Sequence, residues 1–534
     1  MTAPVEAEVD VVIVGAGFAG LYQLHRLRQL GLATRVFEAG DGVGGTWYWN
    51  RYPGARCDVE SMSYSFSFDA ELEQEWTWTE KYPAQPEILD YANHVTDRFG
   101  LRDGITFGAR VTSATWEDPR WTVTTDTGET VSAQFVVMAT GCLSASKLPE
   151  IPGLDRFAGD TFHTGHWPHE EVDFTGKRLG VIGTGSSGIQ SIPVMAAQAA
   201  DTTVFQRTAN FSMPARNRPL TADEITTTKE NYPLLREAQR NSMSGIPREP
   251  ATLSALEVSP AERAATYEQG WERGMLVAIS GSYTDILTDR DANETAAEFV
   301  RGKIRETVTD PGVAEMLSPR TFPYGTKRPC LDTGYYETFN NANVHLVDLR
   351  RTPLVEITER GVRTSEREYA FDAIVFATGF DAMTGALLAM DIRGRDGEEL
   401  AKHWRDGPRT YLGLGIAGFP NLFTITGPSS PSVLSNMMVS IEQHVDWISR
   451  CIAHLREHDV AAIEPAVEAE DAWVAHVEEV GNTTLFPVAD SWYMGANVPG
   501  KPRVFMAYIG GVQAYREHCD RIAADGYEGF LLTP

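Results

Sequence analysis

Two stretches of the chain share the same order of apolar and polar positions. Val11 to Val14 is a short β-branched run that ends in a glycine-rich turn, and a helical apolar pattern follows from Leu21 to Leu30. Leu179 to Ile182 is a second such run, followed by another glycine-rich turn and the helical pattern of Ile189 to Ala200. A buried strand, a tight turn and a helix are the core of a nucleotide-binding unit. The pattern therefore predicts an α/β fold with two doubly wound, Rossmann-like dinucleotide-binding domains.

The chain is expected to cross between these domains at two places. Phe135 to Met138 and Ala373 to Phe376 are apolar strands that each lead into Ala-Thr-Gly. The stretch between about residues 220 and 320 is rich in Ala, Glu and Arg, which predicts inserted helices. The predicted division is a first nucleotide domain over 1–142 that residues 381–534 complete, a second over 143–220 and 326–380, and a helical insertion over 221–325.

The first glycine-rich turn predicts an adenosine site. It contains Gly15, Gly17, Ala19 and Gly20, and the next strand ends at Glu38, 18 positions after Gly20. Glycines let a pyrophosphate approach the helix N-terminus, where free N–H groups and the helix dipole favour an anion. A carboxylate at this distance accepts hydrogen bonds from ribose hydroxyls, as in FAD and NAD sites.

The second turn is followed by a cation at the corresponding position. Its residues are Thr184, Gly185, Ser186, Ser187, Gly188, Ile189 and Gln190. Arg207 lies 19 positions after Gly188, where the next strand ends. A guanidinium there suits the ribose 2′-phosphate of NADPH, and a solvated surface charge is the alternative. Two dinucleotide sites in one chain would let a hydride pass from a nicotinamide to a flavin.

Composition and charge exclude several classes of partner. The 534 residues are 42% hydrophobic and 22% charged, as expected for a globular chain with two or three cores. The formal net charge of −27 disfavours nucleic acid and anionic membrane surfaces. No apolar run is long enough for a membrane span, and the acidic stretch Met1 to Asp10 lacks the pattern of a secretory signal. We expect a cytoplasmic protein without an obligate protein partner.

The five cysteines argue against two further classes of site. Cys57, Cys142, Cys330, Cys451 and Cys519 are dispersed, with no Cys-x-x-Cys pair and no histidine at metal-ligand spacing. Free thiols in a reducing compartment are the expected state. Flavoprotein disulfide reductases need two cysteines close together in sequence, so neither that activity nor a metal site is predicted.

A segment between the two glycine turns resembles the fingerprint of the Baeyer–Villiger monooxygenases. The segment 157–168 reads Phe157-Ala-Gly159-Asp-Thr-Phe-His163-Thr-Gly-His-Trp167-Pro168, and the family pattern is Phe-x-Gly-x-x-x-His-x-x-x-Trp-Pro. Amine- and sulfide-oxidising flavin monooxygenases are similar but usually lack the Trp-Pro ending. From the residues alone, the alternative is a domain linker with packed aromatic side chains.

The resemblance extends over essentially the whole chain and is closest to members that oxidise phenylacetone and related ketones. It includes the segments Gly44 to Asp58, Tyr324 to Arg328 and Ser491 to Lys501. Thr46 stands where near relatives can have an apolar residue. The resemblance implies that NADPH reduces FAD, that O₂ then forms a flavin peroxyanion, and that this anion attacks a ketone to give an ester or lactone.

The resemblance also implies a catalytic pair. Negative charge develops in this reaction, and a fixed cation in a dry site would stabilise it. By resemblance the cation is Arg328, which Asp58 would hold and orient. The permanent charge and rigid fork of arginine suit this role, although the residues alone would suggest a structural ion pair.

Further cofactor contacts follow from the same resemblance. Lys327 would join Arg207 and Thr208 at the 2′-phosphate, and Trp492 would contact the nicotinamide nucleotide and keep oxidised NADP bound. Bound NADP would protect the reactive flavin from water. The residues expected around the flavin are Thr46, Trp47, Arg56, Cys57, Asp58, Tyr64, Val111 and Met437. For Trp47, Tyr64, Met437 and Trp492, core packing is the alternative.

The segment Gly427 to Ile441 is expected to shape the substrate pocket. It resembles the phenylacetone-type members in length and is about two residues longer than in cyclohexanone-oxidising relatives. Its expected lining residues are Ser432, Val433, Leu434 and Met437. A longer loop beside the flavin would favour bulky aryl or multi-ring ketones, and a surface loop without functional consequence is the alternative.

Two rival functions stay open at this point. An N- or S-oxidising flavin monooxygenase shares the fold but keeps its peroxide protonated, and Trp167-Pro168 and Arg328 argue against it. A flavin-binding protein that senses NADPH or oxygen without turnover is the other rival. The pairing of Asp58 with Arg328 argues against such a sensor.

Overall fold

A computed structural model describes residues 7–534. Residues 1–6, on which the expectation about a secretory signal partly rests, lie outside the described residues. The elements of the first part are β1 (Ala7–Val14), α1 (Phe18–Gln29), β2 (Thr34–Phe37), α2 (Thr46–Trp49), α3 (Ala70–Glu75), α4 (Gln85–Arg98), β3 (Ile105–Thr106), β4 (Val111–Glu117), β5 (Arg120–Thr125) and β6 (Thr130–Met138).

The middle of the chain holds the second glycine turn and seven of the helices. Its first elements are β7 (Asp160–His163), β8 (Arg178–Ile182), α5 (Ser186–Gln198), β9 (Asp201–Gln206), β10 (Ser212–Pro214), α6 (Ala222–Glu230), α7 (Tyr232–Arg240), α8 (Pro260–Arg273), α9 (Arg290–Thr307) and α10 (Pro311–Leu317). The remaining ones are β11 (Cys330–Asp332), α11 (Tyr335–Thr338), β12 (Val344–Asp348), β13 (Leu354–Thr358), β14 (Gly361–Thr364), β15 (Glu368–Ala370) and β16 (Ala373–Phe376).

The last part of the chain is mainly helical. Its elements are α12 (Gly385–Leu388), β17 (Asp391–Arg393), α13 (Leu400–His403), β18 (Leu422–Thr424), α14 (Met437–Glu457), β19 (Ala462–Pro465), α15 (Val467–Asn482), α16 (Val512–Ala524) and β20 (Phe530–Thr533). Among residues 7–534, no helix is both long enough and apolar enough to cross a membrane.

The first sheet is built from both ends of the chain. Seven of its strands follow the order β17-β4-β5-β6-β1-β2-β3, and the eighth, β18, pairs with β6. β1 is parallel to both of its neighbours, with Val11 opposite Thr34 of β2 and Phe135 of β6. β17 and β18 come from beyond residue 381 and pair in parallel with β4 and β6.

The second sheet has five parallel strands in the order β12-β9-β8-β16-β7. Val181 of β8 lies opposite Val204 of β9 and Val375 of β16. Every residue of β16 is buried, as expected for a parallel sheet covered on both faces. Because the carboxyl ends of parallel strands meet at one edge, the second glycine turn lies beside the ends of β9 and β16.

Both predicted strand, turn and helix units are present, but the helices begin earlier than predicted. α1 begins at Phe18 and α5 at Ser186, each three residues before the start that the apolar pattern indicated. The reason is that the last glycine of each turn already lies in the first helical turn. A glycine has no side chain with which to show the apolar period.

The helices between residues 222 and 317 do not all pack together. Around α8 and α9 lies a separate core that includes Tyr267, Trp271 and Tyr324. α7 is attached to the first part of the chain instead, because the buried Arg236 forms an ion pair with Glu73 at 2.7 Å. The inserted stretch therefore contacts α3, a helix that precedes it in the chain.

Candidate active site

The first glycine turn can be built only with glycine at two of its positions. Gly15 has a φ of +104°, and a Cβ there would lie 2.7 Å from the carbonyl oxygen of Ala139. A Cβ on Gly20 would lie 1.9 Å from the carbonyl oxygen of Gly15. The turn, the start of α1 and the end of β6 are therefore in direct backbone contact.

Glu38 closes the first turn from the end of β2. Its Oε2 accepts a hydrogen bond from the N–H of Ala16 at 2.7 Å, and its Oε1 accepts from the N–H of Gly40 at 2.8 Å. Burial raises the pKa of this carboxyl group, although the two backbone donors oppose that shift. The carboxylate is thus fixed beside the turn, where a ribose would be bound.

The second turn repeats this geometry with one open position. Gly183 has a φ of +115°, and its Cβ would lie 2.3 Å from the carbonyl oxygen of Ala377. A Cβ on Gly188 would lie 2.4 Å from the oxygen of Gly183, whereas a Cβ on Gly185 would meet nothing within 4 Å. The space above Gly185 is free to receive a ligand atom.

Both helix N-termini fit the pyrophosphate of a dinucleotide. α1 and α5 have 12 and 13 residues, and neither has a side chain that caps its first N–H groups. These unpaired donors and the positive end of the helix dipole favour an anion. The residues present at both turns therefore fit the pyrophosphate groups of two bound dinucleotides.

The predicted 2′-phosphate residues lie together at the end of β9. Arg207 is exposed, and Thr208 accepts a hydrogen bond at its carbonyl oxygen from Thr184 Oγ1 at 3.0 Å. Burial and then the nearby Arg207 lower the pKa of Lys327 to about 8. Arg350 also acts on Lys327, a neighbour that the sequence did not indicate because it follows a different strand, β12.

Arg328 and Asp58 form a two-point ion pair. Arg328 Nε donates to Asp58 Oδ2 at 2.7 Å, and Nη2 donates to Asp58 Oδ1 at 2.9 Å. Burial opposes the charge on Arg328, but the attraction of Asp58 outweighs it and raises the pKa of Arg328 above its ordinary value. This guanidinium is therefore charged at every working pH.

Two further groups, which the sequence did not indicate as neighbours of Arg328, contact or face its guanidinium. Arg328 Nη1 donates to the carbonyl oxygen of Val433 at 2.7 Å. Tyr493 is buried beside the guanidinium, and burial raises the pKa of its hydroxyl to about 12 although Arg328 opposes the shift. A backbone carbonyl has no sequence signature. Tyr493 directly follows Trp492, and the family resemblance implied a role only for the tryptophan.

The segment that contains Val433 is buried, which contradicts the alternative that it is a surface loop. Residues 427–433 are all buried, and a short 3-10 turn spans Ser432–Leu434. An apolar cluster surrounds Val433, Leu434 and Met437; its other members are Cys142, Leu143, Leu287, Ala382, Met383, Phe486, Trp492, Tyr493, Val504, Phe505, Met506 and Ile509. Ser432 Oγ donates to the carbonyl oxygen of Thr426 at 3.2 Å.

The remaining residues expected near the flavin are mostly packed within the first domain. Trp47 Nε1 donates to the hydroxyl of Tyr64 at 3.2 Å, and both side chains are buried with Cys57 in one core. Val111 is buried in a second core on the other side of the sheet. Thr46 is exposed at the start of α2, and Ala19 is buried in α1.

The two nucleotide domains touch where Gly54 meets α5. A Cβ on Gly54 would lie 2.3 Å from the carbonyl oxygen of Gln190. The Gln190 side chain donates to the carbonyl oxygen of Arg56 at 3.0 Å and accepts from the hydroxyl of Tyr52 at 2.9 Å. The guanidinium of Arg56 is bound by Glu80. The Gln190 side chain and the backbone carbonyl of Arg56 thus join the two domains, whereas the guanidinium of Arg56 is paired within the first domain.

The segment 157–168 lies at the edge of the second sheet. Its β7 pairs with β16, and His163 Nε2 is 3.2 Å from the hydroxyl of Thr378 in the crossing between domains. His163 Nδ1 accepts from the N–H of Gly165 at 3.0 Å, and burial lowers the pKa of the imidazole. His163 therefore ties this segment to the crossing strand.

Neither a disulfide nor a metal site is found in the part of the chain that the structure describes. All five cysteines are buried free thiols. Within residues 7–534, no group of three or more His, Cys, Asp or Glu side chains is arranged to hold a metal ion.

Comparisons with known proteins find relatives that match nearly the full length of the chain. Residues 12–250 match the family described as pyridine nucleotide-disulphide oxidoreductase. A Baeyer–Villiger monooxygenase from Pseudooceanicola batsensis is 42% identical over 99% of this chain and 97% of its own. A phenazine N-monooxygenase from Lysobacter antibioticus is 43% identical over 98% of this chain and 97% of its own.

A solved structure has the same fold over the same length. The oxidised steroid monooxygenase bound to NADP is 54% identical, with a TM-score of 0.95, and the match covers 98% of this chain and 99% of that one. Agreement over both nucleotide domains and the helices between them means that the whole architecture is shared.

Proposed function

The chain belongs to the Baeyer–Villiger monooxygenases, and from this premise we propose that it converts bulky aryl or multi-ring ketones into esters or lactones. Its cofactors are FAD and NADPH, and its co-substrate is O₂. Bound FAD, once reduced by NADPH, supplies the reactive oxygen atom from O₂. We further propose a cytoplasmic location, which the five free thiols support.

Residues of the two turns would hold the cofactors. The N–H groups at the start of α1, with Gly15, Gly17 and Gly20 around them, would bind the FAD pyrophosphate, and Glu38 would accept from the ribose. At the start of α5, Thr184 to Ile189 would bind the NADPH pyrophosphate. Arg207, Thr208 and Lys327 would bind the 2′-phosphate, which NADH lacks.

Arg328 would stabilise the negative charge that develops as oxygen is inserted. A positioned cation lowers the barrier only if it need not move during the reaction. Asp58 holds two of its nitrogen atoms and the Val433 carbonyl holds the third, so the guanidinium has a fixed orientation. This three-point attachment is the single observation that carries the proposal.

The hydrogen bond from Arg328 to the Val433 carbonyl also bears on the size of the substrate. Val433 belongs to the buried segment 427–433, so the segment that holds Arg328 also forms the wall of the apolar cluster described above. Apolar clusters with few polar groups suit hydrophobic ligands. The 54% identity to the steroid monooxygenase supports a multi-ring ketone.

The test of substrate size compares kcat/KM for phenylacetone, a steroid ketone and cyclohexanone. We expect the two bulky ketones to be preferred, and deletion of Val433 and Leu434 to shift the preference towards cyclohexanone. Val433→Ala is the matched control, since it keeps the carbonyl that holds Arg328. A wild-type preference for cyclohexanone, or unchanged relative rates after the deletion, would contradict the proposal.

A second candidate is N-oxidation of planar aromatic heterocycles, because a relative named phenazine N-monooxygenase is 43% identical. Phenazine belongs in the same substrate panel. Turnover of phenazine but of no ketone, detected as the N-oxide by mass spectrometry, would favour this candidate over ester formation.

A further inference from the structure

Three cations meet at the end of β9 without a carboxylate partner. Arg207 follows β9, Arg350 follows β12, and the two strands are parallel neighbours. Lys327 lies close enough to both arginines for their charges to lower its pKa. Among residues 7–534, no ion pair joins these three side chains to an acid, although the chain has 73 acidic and 46 basic residues. Such an uncompensated cluster in an acidic protein indicates a bound anion.

Arg351, the residue after Arg350, does form an ion pair with a carboxylate. Arg351 Nε lies 3.5 Å from Asp348 Oδ2, and Asp348 Oδ1 accepts from the backbone N–H of Arg350 at 2.9 Å. The Asp348 carboxylate is therefore engaged by Arg351 and by the backbone. The guanidinium of Arg350 is left to face the cluster.

Arg350 contacts a hydroxyl that was assigned to the cofactor. Its Nη2 donates to Thr208 Oγ1 at 3.2 Å and to Thr321 Oγ1 at 3.4 Å. A threonine hydroxyl has one proton and two acceptor positions. Because Arg350 occupies an acceptor position on Thr208, the hydroxyl proton is directed to another acceptor. The carbonyl of Thr208 is also fixed, by Thr184.

We propose that Arg350 is the positioning residue of the 2′-phosphate site, which orients the Thr208 hydroxyl as a donor and makes NADPH binding depend on proton uptake by Lys327. This inference rests on the proposed assignment of Arg207, Thr208 and Lys327 to the 2′-phosphate.

The charges around Lys327 support the second half of this proposal. Burial is the largest cause that lowers its pKa to about 8; Arg207 and Arg350 lower it as well, and Asp490 opposes them. Asp490 is shared with Arg503 at 2.7 Å, which weakens its effect. In the free protein, Lys327 is therefore half neutral near pH 8, and a bound phosphate would restore its proton. Above that pH, affinity for the phosphate should fall about tenfold per pH unit.

The experiment is calorimetric titration of the FAD-bound protein with 2′,5′-ADP, with 5′-AMP as the probe that lacks the 2′-phosphate. From pH 7 to about pH 9.5, the Kd for 2′,5′-ADP should be constant and then rise above pH 8, while that for 5′-AMP stays flat. Arg350→Ala should raise the Kd for 2′,5′-ADP about tenfold at pH 7 and move the break to higher pH. Arg350→Lys should keep the break, because it keeps the charge.

The control is Arg351→Ala, which removes a neighbouring charge that pairs with Asp348. Equal effects of Arg350→Ala and Arg351→Ala, or a pH-independent Kd in the wild type, would overturn the inference. Arg207→Ala separates this failure from a failure of the proposed function. If Arg207→Ala weakens 2′,5′-ADP binding and Arg350→Ala does not, only the role of Arg350 falls; if neither does, the whole 2′-phosphate assignment falls with it.

Discussion

The two glycine turns have nearly the same backbone and opposite charges beside it. Gly15 and Gly183 have φ angles of +104° and +115°, and each is packed against the carbonyl oxygen of the alanine that follows a crossing strand. Beside the first turn, Glu38 is buried and accepts two backbone N–H groups. Beside the second, Arg207 is exposed. Under the proposed assignment, the turn binds the pyrophosphate and the end of the next strand selects the ribose.

The two regions also differ in how closely they are filled. A Cβ on Gly17 would lie 3.4 Å from the Cα of Gly45, whereas a Cβ on Gly185 would meet no protein atom within 4 Å. Arg328 and Asp58 form an ion pair between the two parts of the chain. Asp58 follows the first turn in sequence, and Arg328 comes after the second turn, just before β11.

Removal of the joining cation should have the largest effect. Arg328→Ala should leave FAD bound and still reducible by NADPH, while ester formation falls on the order of 100-fold or more, as for the loss of an oxyanion donor. Stopped-flow absorbance would follow flavin reduction, and chromatography would follow the ester. FAD content and Tm serve as controls for the unpaired Asp58. Ester formation near the wild-type rate would show that Arg328 is not the stabilising group.

Removal of the positive charge beside the second turn should have the next largest effect. Arg207→Ala should remove a charge-assisted contact of about 1.5–3 kcal/mol, so KM for NADPH should rise about tenfold or more while NADH kinetics barely change. Glu38→Gln is the counterpart at the first turn and should lower FAD retention without this change in KM. Equal losses with NADPH and NADH would mean that Arg207 supports the fold and does not read the 2′-phosphate.

The smallest effects are expected in the second glycine turn, where one glycine is needed for packing and another for cofactor binding. Gly188→Ala places a methyl group 2.4 Å from a backbone oxygen, so we expect a loss of about 1–3 kcal/mol in the free energy of unfolding. Gly185→Ala meets no atom of the protein and should keep its stability, but it should weaken NADP binding. Thermal unfolding and calorimetric titration would measure the two effects. Similar losses of stability in both variants would contradict the open position at Gly185.

The sequence was sufficient where function depends on local pattern. Both turns, the strands before them and the fold class follow from apolar periodicity and glycine spacing, and the family follows from the segment 157–168. Helix starts were missed by three residues because Gly20 and Gly188 lie inside the helices. The family resemblance, and not spacing, suggested the pairing of Asp58 with Arg328, which are 270 positions apart.

The remaining features depend on contacts that no local pattern encodes. Val433 holds Arg328 through its backbone carbonyl, which any residue could supply. Arg350 reaches Thr208 because β12 pairs with β9, and a pairing of strands so distant in sequence is not visible in the spacing of either. The burial of residues 427–433 likewise contradicts their Pro- and Ser-rich composition, which is typical of a surface loop.

We propose that electrons from the second site activate oxygen at the first for insertion into a ketone. Incubation of the FAD-bound protein with NADPH, phenylacetone and isotopically labelled ¹⁸O₂, followed by mass spectrometry, tests this directly. We expect benzyl acetate that carries one labelled oxygen atom, with one NADPH consumed per ester. Consumption of NADPH with release of hydrogen peroxide, with the ketone unchanged across the aryl and multi-ring substrates, would contradict it.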